Sequence, residues 1–407
     1  MMRPALKDDI AMRMKRLLAI LAVVPLAGCI TPVDYGKIRH ADYVADPRCT
    51  AQPGATVDGD ALPLFFATSR LPDCRAPDIH LLQYRGDQVR YGRFAPPRDV
   101  EVGKKKQFLT PTSFQAAGDW WTALRAETDK RQGRVLLYVH GYRENFETTT
   151  KDTAQIARMT GFDGPVIAYS WPSQHQILGY AVDETNMYHD VRNFRVFLKS
   201  LAEQSWVKEI VIVSHSLGAR LVIPAIGYVD RTSSSADSSN ISNIILASPD
   251  IDRETFERDI EEDVLAARRV ARDRRITVYV SRADKALAAS RVLHGYPRLG
   301  SPYCFDPFEA ADLKAKGLPE RCYPVAIAGL TVIDTTDVSR GSTGHSNFLR
   351  SAVACRDFID VVAGKRTRPE RAATQLAHVF RLLPDPANPK PDDNLICNRT
   401  AGGEADE

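Results

Sequence analysis

Ser216 lies in Val211-Ile212-Val213-Ser214-His215-Ser216-Leu217-Gly218-Ala219-Arg220, where a β-branched run meets a serine between small residues and an apolar helical pattern begins. A strand-to-helix turn of this kind, a nucleophile elbow, strains the central serine and needs small residues two before and two after it, so that strand and helix can approach. Ser214 and Gly218 meet that need, although Ser214 stands where G-x-S-x-G has its first glycine and adds a Cβ and a hydroxyl. Two readings follow: an exposed nucleophile, or an N-cap serine opening a buried helix.

A nucleophilic serine requires a base, a group that orients the base, and amide donors for a developing oxyanion, all at the carboxyl ends of strands. His345, in Gly344-His345-Ser346-Asn347-Phe348, follows the last apolar run and is the expected base. His215 belongs to the turn, His294 precedes the last strand, and His175, His189 and His378 fall in loops or on helices elsewhere. Two aspartates end strands between Ser216 and His345. Asp284 follows the penultimate strand and is the preferred acid; Asp250, one strand earlier, is the alternative and could instead cap the helix starting near Arg253. The Tyr142 amide, in His140-Gly141-Tyr142, and the Leu217 amide are the expected oxyanion donors. The His140 side chain is expected to brace its loop. Trp171, Tyr142 and Tyr180 are candidate pocket residues, with core packing the competing reading for Trp171. This chemistry is acyl transfer and requires no metal or cofactor; no H-E-x-x-H, phosphate-cradling glycine loop or G-x-G-x-x-G competes with it.

The elements that would position these residues are legible as a rhythm. Strand-like runs occur at Arg134–Val139, Pro165–Ser170, Glu209–Ser214, Asn243–Ala247, Ile276–Val280 and Leu330–Ile333, with Ala61–Thr68 before them and helical segments between. One such helix repeats Met187, Val191, Phe194, Leu198 and Leu201 at steps of three and four. Another starts from about Thr110 and carries Trp120, Trp121 and Leu124. Continuous apolar strands joined by amphipathic helices imply an α/β fold with a mostly parallel, doubly wound sheet and helices on both faces. The insertion from His294 to Pro324 is a candidate rim of the site.

At 407 residues with 44% hydrophobic content the chain is long enough for a large core. A formal charge of +3, from 54 basic and 51 acidic residues interspersed along the sequence, argues against a nucleic-acid partner. The amino terminus reads as a secretory signal: Arg13, Lys15 and Arg16 precede the apolar run Leu17–Leu26, which ends in Leu26-Ala27-Gly28-Cys29 like a lipobox. Acylation of Cys29 would anchor the protein to a membrane in the bacterial envelope, and Ile30 is compatible with outer-membrane sorting in a Gram-negative cell. Residues 1–28 are thus read as signal peptide and 29–60 as tether. Residues 61–385 are the catalytic body, with N-terminal strands over 61–109 and the core over 110–385, and 386–407 form a tail. Six further cysteines suit an oxidising compartment, and sequence order suggests Cys49–Cys74, Cys304–Cys322 and Cys355–Cys397 among fifteen connectivities.

Several of these strings together, Phe65-Phe66-Ala67-Thr68-Ser69-Arg70, His140-Gly141-Tyr142, Ser170-Trp171-Pro172-Ser173, the Ser216 turn, Ser248-Pro249-Asp250-Ile251-Asp252, Asp284-Lys285-Ala286-Leu287 and Gly344-His345-Ser346, resemble bacterial alpha/beta hydrolases of uncharacterised function, grouped with esterases and lipases. The resemblance covers roughly Leu62 to Ala363 and implies an alpha/beta-hydrolase fold acting on a small-molecule or lipid ester through Ser216, His345 and an aspartate. A peptidase or amidase with the same triad, and a catalytically silent envelope lipoprotein acting as a binding module, are the other readings.

Overall fold

The computed structural model describes residues 64–73, 80–94, 114–233, 240–260, 274–304, 322–323, 325–365 and 371–384, with Cys49, Ala315 and Cys397. The signal, most of the tether, Cys29 and Cys74 lie outside the described residues.

Ten strands form one sheet. In chain order they are β1 (Leu64–Asp73), β2 (His80–Phe94), β3 (Arg134–Val139), β4 (Val166–Ser170), β5 (Glu209–His215), β6 (Ile241–Ala247), β7 (Arg275–Val280), then, beyond a two-residue hairpin of β8 (Tyr303–Cys304) and β9 (Cys322–Tyr323), β10 (Leu330–Asp334), β11 (Arg371–Ala373) and β12 (Val379–Leu382). The order across the sheet is β11-β12-β10-β7-β6-β5-β3-β4-β1-β2, parallel throughout except for the antiparallel edge pairs β1/β2 and β11/β12. Helices α1 (Ala117–Asp129), α2 (Phe146–Thr160), α3 (Tyr180–Ala202), α4 (Ala219–Thr232), α5 (Arg253–Ile260), α6 (Lys285–His294), α7 (Asn347–Arg350) and α8 (Ala352–Val362) connect them.

The two-residue period of a strand explains why the central runs are apolar at every position. Along β3, Val135, Leu137 and Val139 join one core layer while Leu136 and Tyr138 join the other, and Ile210 and Ile212 alternate with Val211 and Val213 in the same way along β5. The first layer is completed by Trp120 and Leu124 of α1, the Met187, Phe194, Leu198 and Leu201 stripe of α3, and Leu221, Val222, Ala225 and Ile226 of α4. The second is completed by Phe146, Ile156 and Met159 of α2 and Val353, Phe358 and Val361 of α8. Each large apolar side chain buried this way contributes about 1.5–3 kcal/mol. Among the described residues no helix is long and apolar enough to cross a membrane.

The sheet is longer at both edges than the apolar runs alone indicate. β2, 15 residues through Arg85, Gly86 and Asp87, and the short β11/β12 pair are edge strands. An edge strand has an unpaired side and tolerates charge, which erases the hydrophobic signal. Helix α1 starts at Ala117 rather than near Thr110.

Cys355 of α8 is bonded to Cys397, 42 residues on, in the segment read as a tail. Cys49 is also disulfide-bonded, and β8 pairs with β9 so that Cys304 lies opposite Cys322 in the backbone register. Because a crosslink removes conformational freedom mainly from the unfolded chain, replacing Cys355 and Cys397 by alanine is expected to lower stability by about 2–4 kcal/mol. Urea denaturation, compared with the parent under non-reducing conditions, measures this.

Candidate active site

The chain leaves β5 at His215 and turns sharply. Ser216 has φ +52°, in the left-handed region, after which a single 3₁₀ turn (Ser216–Gly218) leads directly into α4. The N-cap positions of the turn and of α4 are His215 and Gly218, and neither makes a side-chain cap bond, so the capping reading of Ser216 does not describe this geometry. Two glycines permit the turn. A Cβ on Gly218 would come within 2.6 Å of the His140 carbonyl oxygen, and one on Gly141 within 2.7 Å of the Ser216 Cβ. The ends of β3 and β5 therefore meet backbone to backbone. Ser214 is buried with its hydroxyl unpaired among the described residues, a cost of about 1–3 kcal/mol that glycine would not incur.

His345 comes from the far side of the sheet. Gly344 before it has φ +65°, and a Cβ there would lie 2.9 Å from the Ala283 carbonyl, while Lys285 N–H donates to the Thr343 carbonyl at 2.9 Å. The loop after β10 is thereby pressed against the end of β7, where Asp284 begins α6. Asp284 divides its two oxygens: Oδ1 accepts the Leu287 amide at 3.0 Å as the helix N-cap, and Oδ2 lies 2.7 Å from His345 Nδ1. With Nδ1–H donating to the carboxylate, the lone pair of His345 resides on Nε2. Burial would lower the His345 pKa, but the charge and hydrogen bond of Asp284, with smaller effects of Asp250 and Glu144, outweigh it and hold the imidazole above its ordinary value.

Asp250 does not approach His345 in this way, and it does not cap α5, a role taken by Asp252, which accepts the Thr255 amide at 2.7 Å. Its carboxylate is engaged by Arg298 Nε and Ser290 Oγ, both at 2.7 Å, and by the Tyr180 hydroxyl at 2.5 Å. Burial would raise its pKa; Arg298 and Arg220 more than offset this and hold it below the usual carboxylate value. The backbone of Asp250 serves the turn, its N–H donating to the Ser216 carbonyl at 3.0 Å.

Ser216 and His345 open into one cavity of ≈ 190 Å³, shared with Tyr142, Tyr180, Ile177, Ala286, Leu287 and Leu293. Trp171 is not part of it. It is wholly buried in the first core layer, stacked on His140 at 4.8 Å, and its indole N–H donates to the His140 carbonyl at 2.8 Å. His140 is fully buried as well, and burial pulls its pKa down to about 4, so it is a neutral brace for the loop that carries Tyr142. The Tyr142 amide has no backbone acceptor among the described residues.

Three residues near the site carried no role in the sequence reading. Glu144 is buried beneath the turn, its Oε1 accepting the Gly141 amide at 3.3 Å and lying 3.4 Å from His215 Nδ1. Burial opposes its charge, but His215, His140 and the Gly141 amide together hold its pKa below the ordinary value. His215 in turn donates from Nε2 to the His345 carbonyl at 3.2 Å, with the two rings 4.8 Å apart. Arg70, buried within β1, donates to Ser170 Oγ, the Ser173 carbonyl and the Glu144 carbonyl at 2.8–3.0 Å. It ties the Phe65–Arg70 and Ser170–Ser173 strings to the loop that carries Glu144. Of the three, only His215 ends a strand; Glu144 stands five residues beyond β3 and Arg70 lies within β1, so neither carries a local signal.

A mostly parallel sheet with a positive-φ serine where its central strand meets a helix defines an alpha/beta hydrolase. The family described as alpha/beta hydrolase of unknown function (DUF900) matches residues 117–363, and the chain belongs to that family. Among solved structures, an acetylxylan esterase is similar at 11% identity over 30% of this chain and 65% of its own, with a TM-score of 0.23. A structure described as AbyA5 wild type is similar at 12% identity over 58% and 62%, with a TM-score of 0.26. The chain thus spans less than two thirds of either structure. No curated protein matches it.

Proposed function

We propose that this protein is a serine hydrolase that cleaves carboxylic esters through an acyl-enzyme. Ser216 attacks the carbonyl while His345 Nε2 takes its proton; Asp284 holds the imidazole and stabilises its charge; the Tyr142 and Leu217 amides bind the oxyanion; water then releases the acid. The observation that carries the reading is the convergence of a strained serine and an aspartate-bound histidine in one cavity. The N-terminus of α4, directly behind Leu217, adds a favourable dipole for the oxyanion. The apolar cavity lining suits an acyl chain.

The test is reaction of the folded protein with a fluorophosphonate, followed by a panel of ester, thioester and amide substrates of graded acyl length. Labelling at Ser216 with esters turned over fastest is the expected result. Faster turnover of amides would make it a peptidase or amidase, and absence of labelling would leave a binding module.

The N-terminal sequence supports a location in the bacterial envelope, with Cys29 acylated and the body held at a membrane, the periplasmic face of the outer membrane in a Gram-negative cell. Labelled palmitate is expected to enter the protein expressed in a bacterium and to be lost in Cys29→Ser; incorporation that survives the substitution would overturn the anchor.

A further inference from the structure

A helix on the surface of a globular protein turns polar residues outward. Helix α6 turns apolar residues outward as well. Its outward positions include Ala288, Ala289, Val292 and Leu293, with Val292 85% and Leu293 63% exposed, and Tyr296 just beyond the helix is 56% exposed. The loop between β4 and α3, distant in sequence, presents Ile177 at 70% and Leu178 at 64% exposure. These two segments are not scattered surface residues. Ile177 from one and Ala289 and Leu293 from the other line the cavity that holds Ser216, so the exposed apolar surface is continuous with the interior of the site.

Within these two segments the exposed charges have one sign, and the neighbouring carboxylates are already paired, Glu184 with Arg220 and Asp250 with Arg298. Across residues 281–296 the cationic side chains are Arg282, Lys285 and Arg291, and the single carboxylate, Asp284, is buried against His345. Across 174–181 there is no carboxylate. An outward apolar face flanked by cations, on a short helix lying along the surface, has the composition of an interfacial segment that inserts into the headgroup boundary of an anionic bilayer. A soluble ester would gain nothing from such a rim. An ester embedded in a lipid layer would pass from the bilayer into the cavity without crossing water.

We infer that the face formed by residues 177–178 and 288–296 docks on an anionic lipid surface and draws its ester from that surface. The substrate part of this inference rests on the hydrolase reading; the docking part does not. The test uses the full chain, with vesicles of phosphatidylcholine containing phosphatidylglycerol, and reads hydrogen–deuterium exchange in both the parent and Ser216→Ala. Slower exchange at 175–179 and 288–296 in the presence of vesicles is expected in both. The double variant Leu178→Asp/Val292→Asp, whose side chains do not line the cavity, is expected to lose this protection. It should hydrolyse a vesicle-borne long-chain ester roughly tenfold or more slowly, yet keep parental fluorophosphonate labelling and soluble-ester turnover, which also reports that it is folded. The N-terminal apolar run is common to all these proteins, so differences between them read the rim alone. Unchanged exchange at both segments, with labelling of Ser216 intact, would overturn docking and leave the hydrolase standing. Protection that grows with protein concentration in the absence of vesicles would assign the face to a second copy of the chain and overturn it equally.

Discussion

Ser216→Ala is expected to abolish fluorophosphonate labelling and to lower kcat/KM for a carboxylic ester by about 10⁴-fold or more, the range seen when the nucleophile of a serine triad is removed. The size of the effect follows from what remains. The amides of Tyr142 and Leu217 and the cavity would still bind the ester, but no acyl-enzyme could form, and water would have to be positioned by His345 alone. The hydroxyl of Ser216 makes no capping bond, and alanine is no larger than serine, so the fold should be kept. Circular dichroism and thermal melting beside the kinetics separate lost chemistry from lost structure. A variant that is folded, unlabelled and still hydrolyses the ester at the parental rate would remove Ser216 from the mechanism.

Asp284→Asn should cost about 10⁴-fold in kcat, comparable to the loss for the buried aspartate of a well-studied triad. Asparagine is an equally good N-cap and can keep the bond from the Leu287 amide, so the start of α6 survives while the negative charge disappears. What changes is the imidazole. Without a carboxylate at 2.7 Å, Nδ1–H is no longer favoured, and Nε2 loses the lone pair that takes the serine proton.

The same substitution has a signature in pH. Catalysis needs neutral His345, so activity should rise with pH through the His345 pKa, and the pairing with Asp284 places that rise above the ordinary imidazole value. In Asp284→Asn burial dominates and the rise should move to lower pH, even as the maximal rate falls. Stability runs in the opposite sense. A histidine whose pKa is raised on folding stabilises the protein fully below its unfolded pKa, and that contribution disappears as pH increases through the folded value. The pH–rate profile and the pH dependence of thermal melting, compared between parent and Asp284→Asn, read the two halves separately. A rise that stays in place would show that Asp284 does not act on His345.

Much of the sheet was legible because its central strands are buried on both faces. Val135–Val139 of β3, Ile210–Val213 of β5 and Ile244–Ala247 of β6 have no polar side to interrupt them, so each is an unbroken apolar run. β2 and the β11/β12 pair were not, since charged residues on an edge strand carry no period. The same asymmetry applies to the site. Ser216 and the aspartates stand shortly after an apolar pattern stops, and His345 is the histidine that follows the last central strand. Trp171 also stands at such a position, and nothing local distinguishes an indole that lines a cavity from one stacked on His140 inside the core.

By itself the sequence determined the sheet-and-helix alternation, the strained turn at Ser216 and the short choice between two aspartates, because each depends on neighbours within a few residues along the chain. Only the tertiary structure shows which of the two meets the histidine, joining Asp284 to His345 across 61 residues while Arg298 and Tyr180 occupy Asp250. It alone also revealed Glu144, His215 and Arg70 as the support beneath the turn, and the apolar rim shared by Ile177 and Leu293. The physical reason is one of distance: a hydrogen bond or a cavity wall requires atoms within a few ångströms in space, and separation along the chain says nothing about that until the sheet has brought its strand ends together.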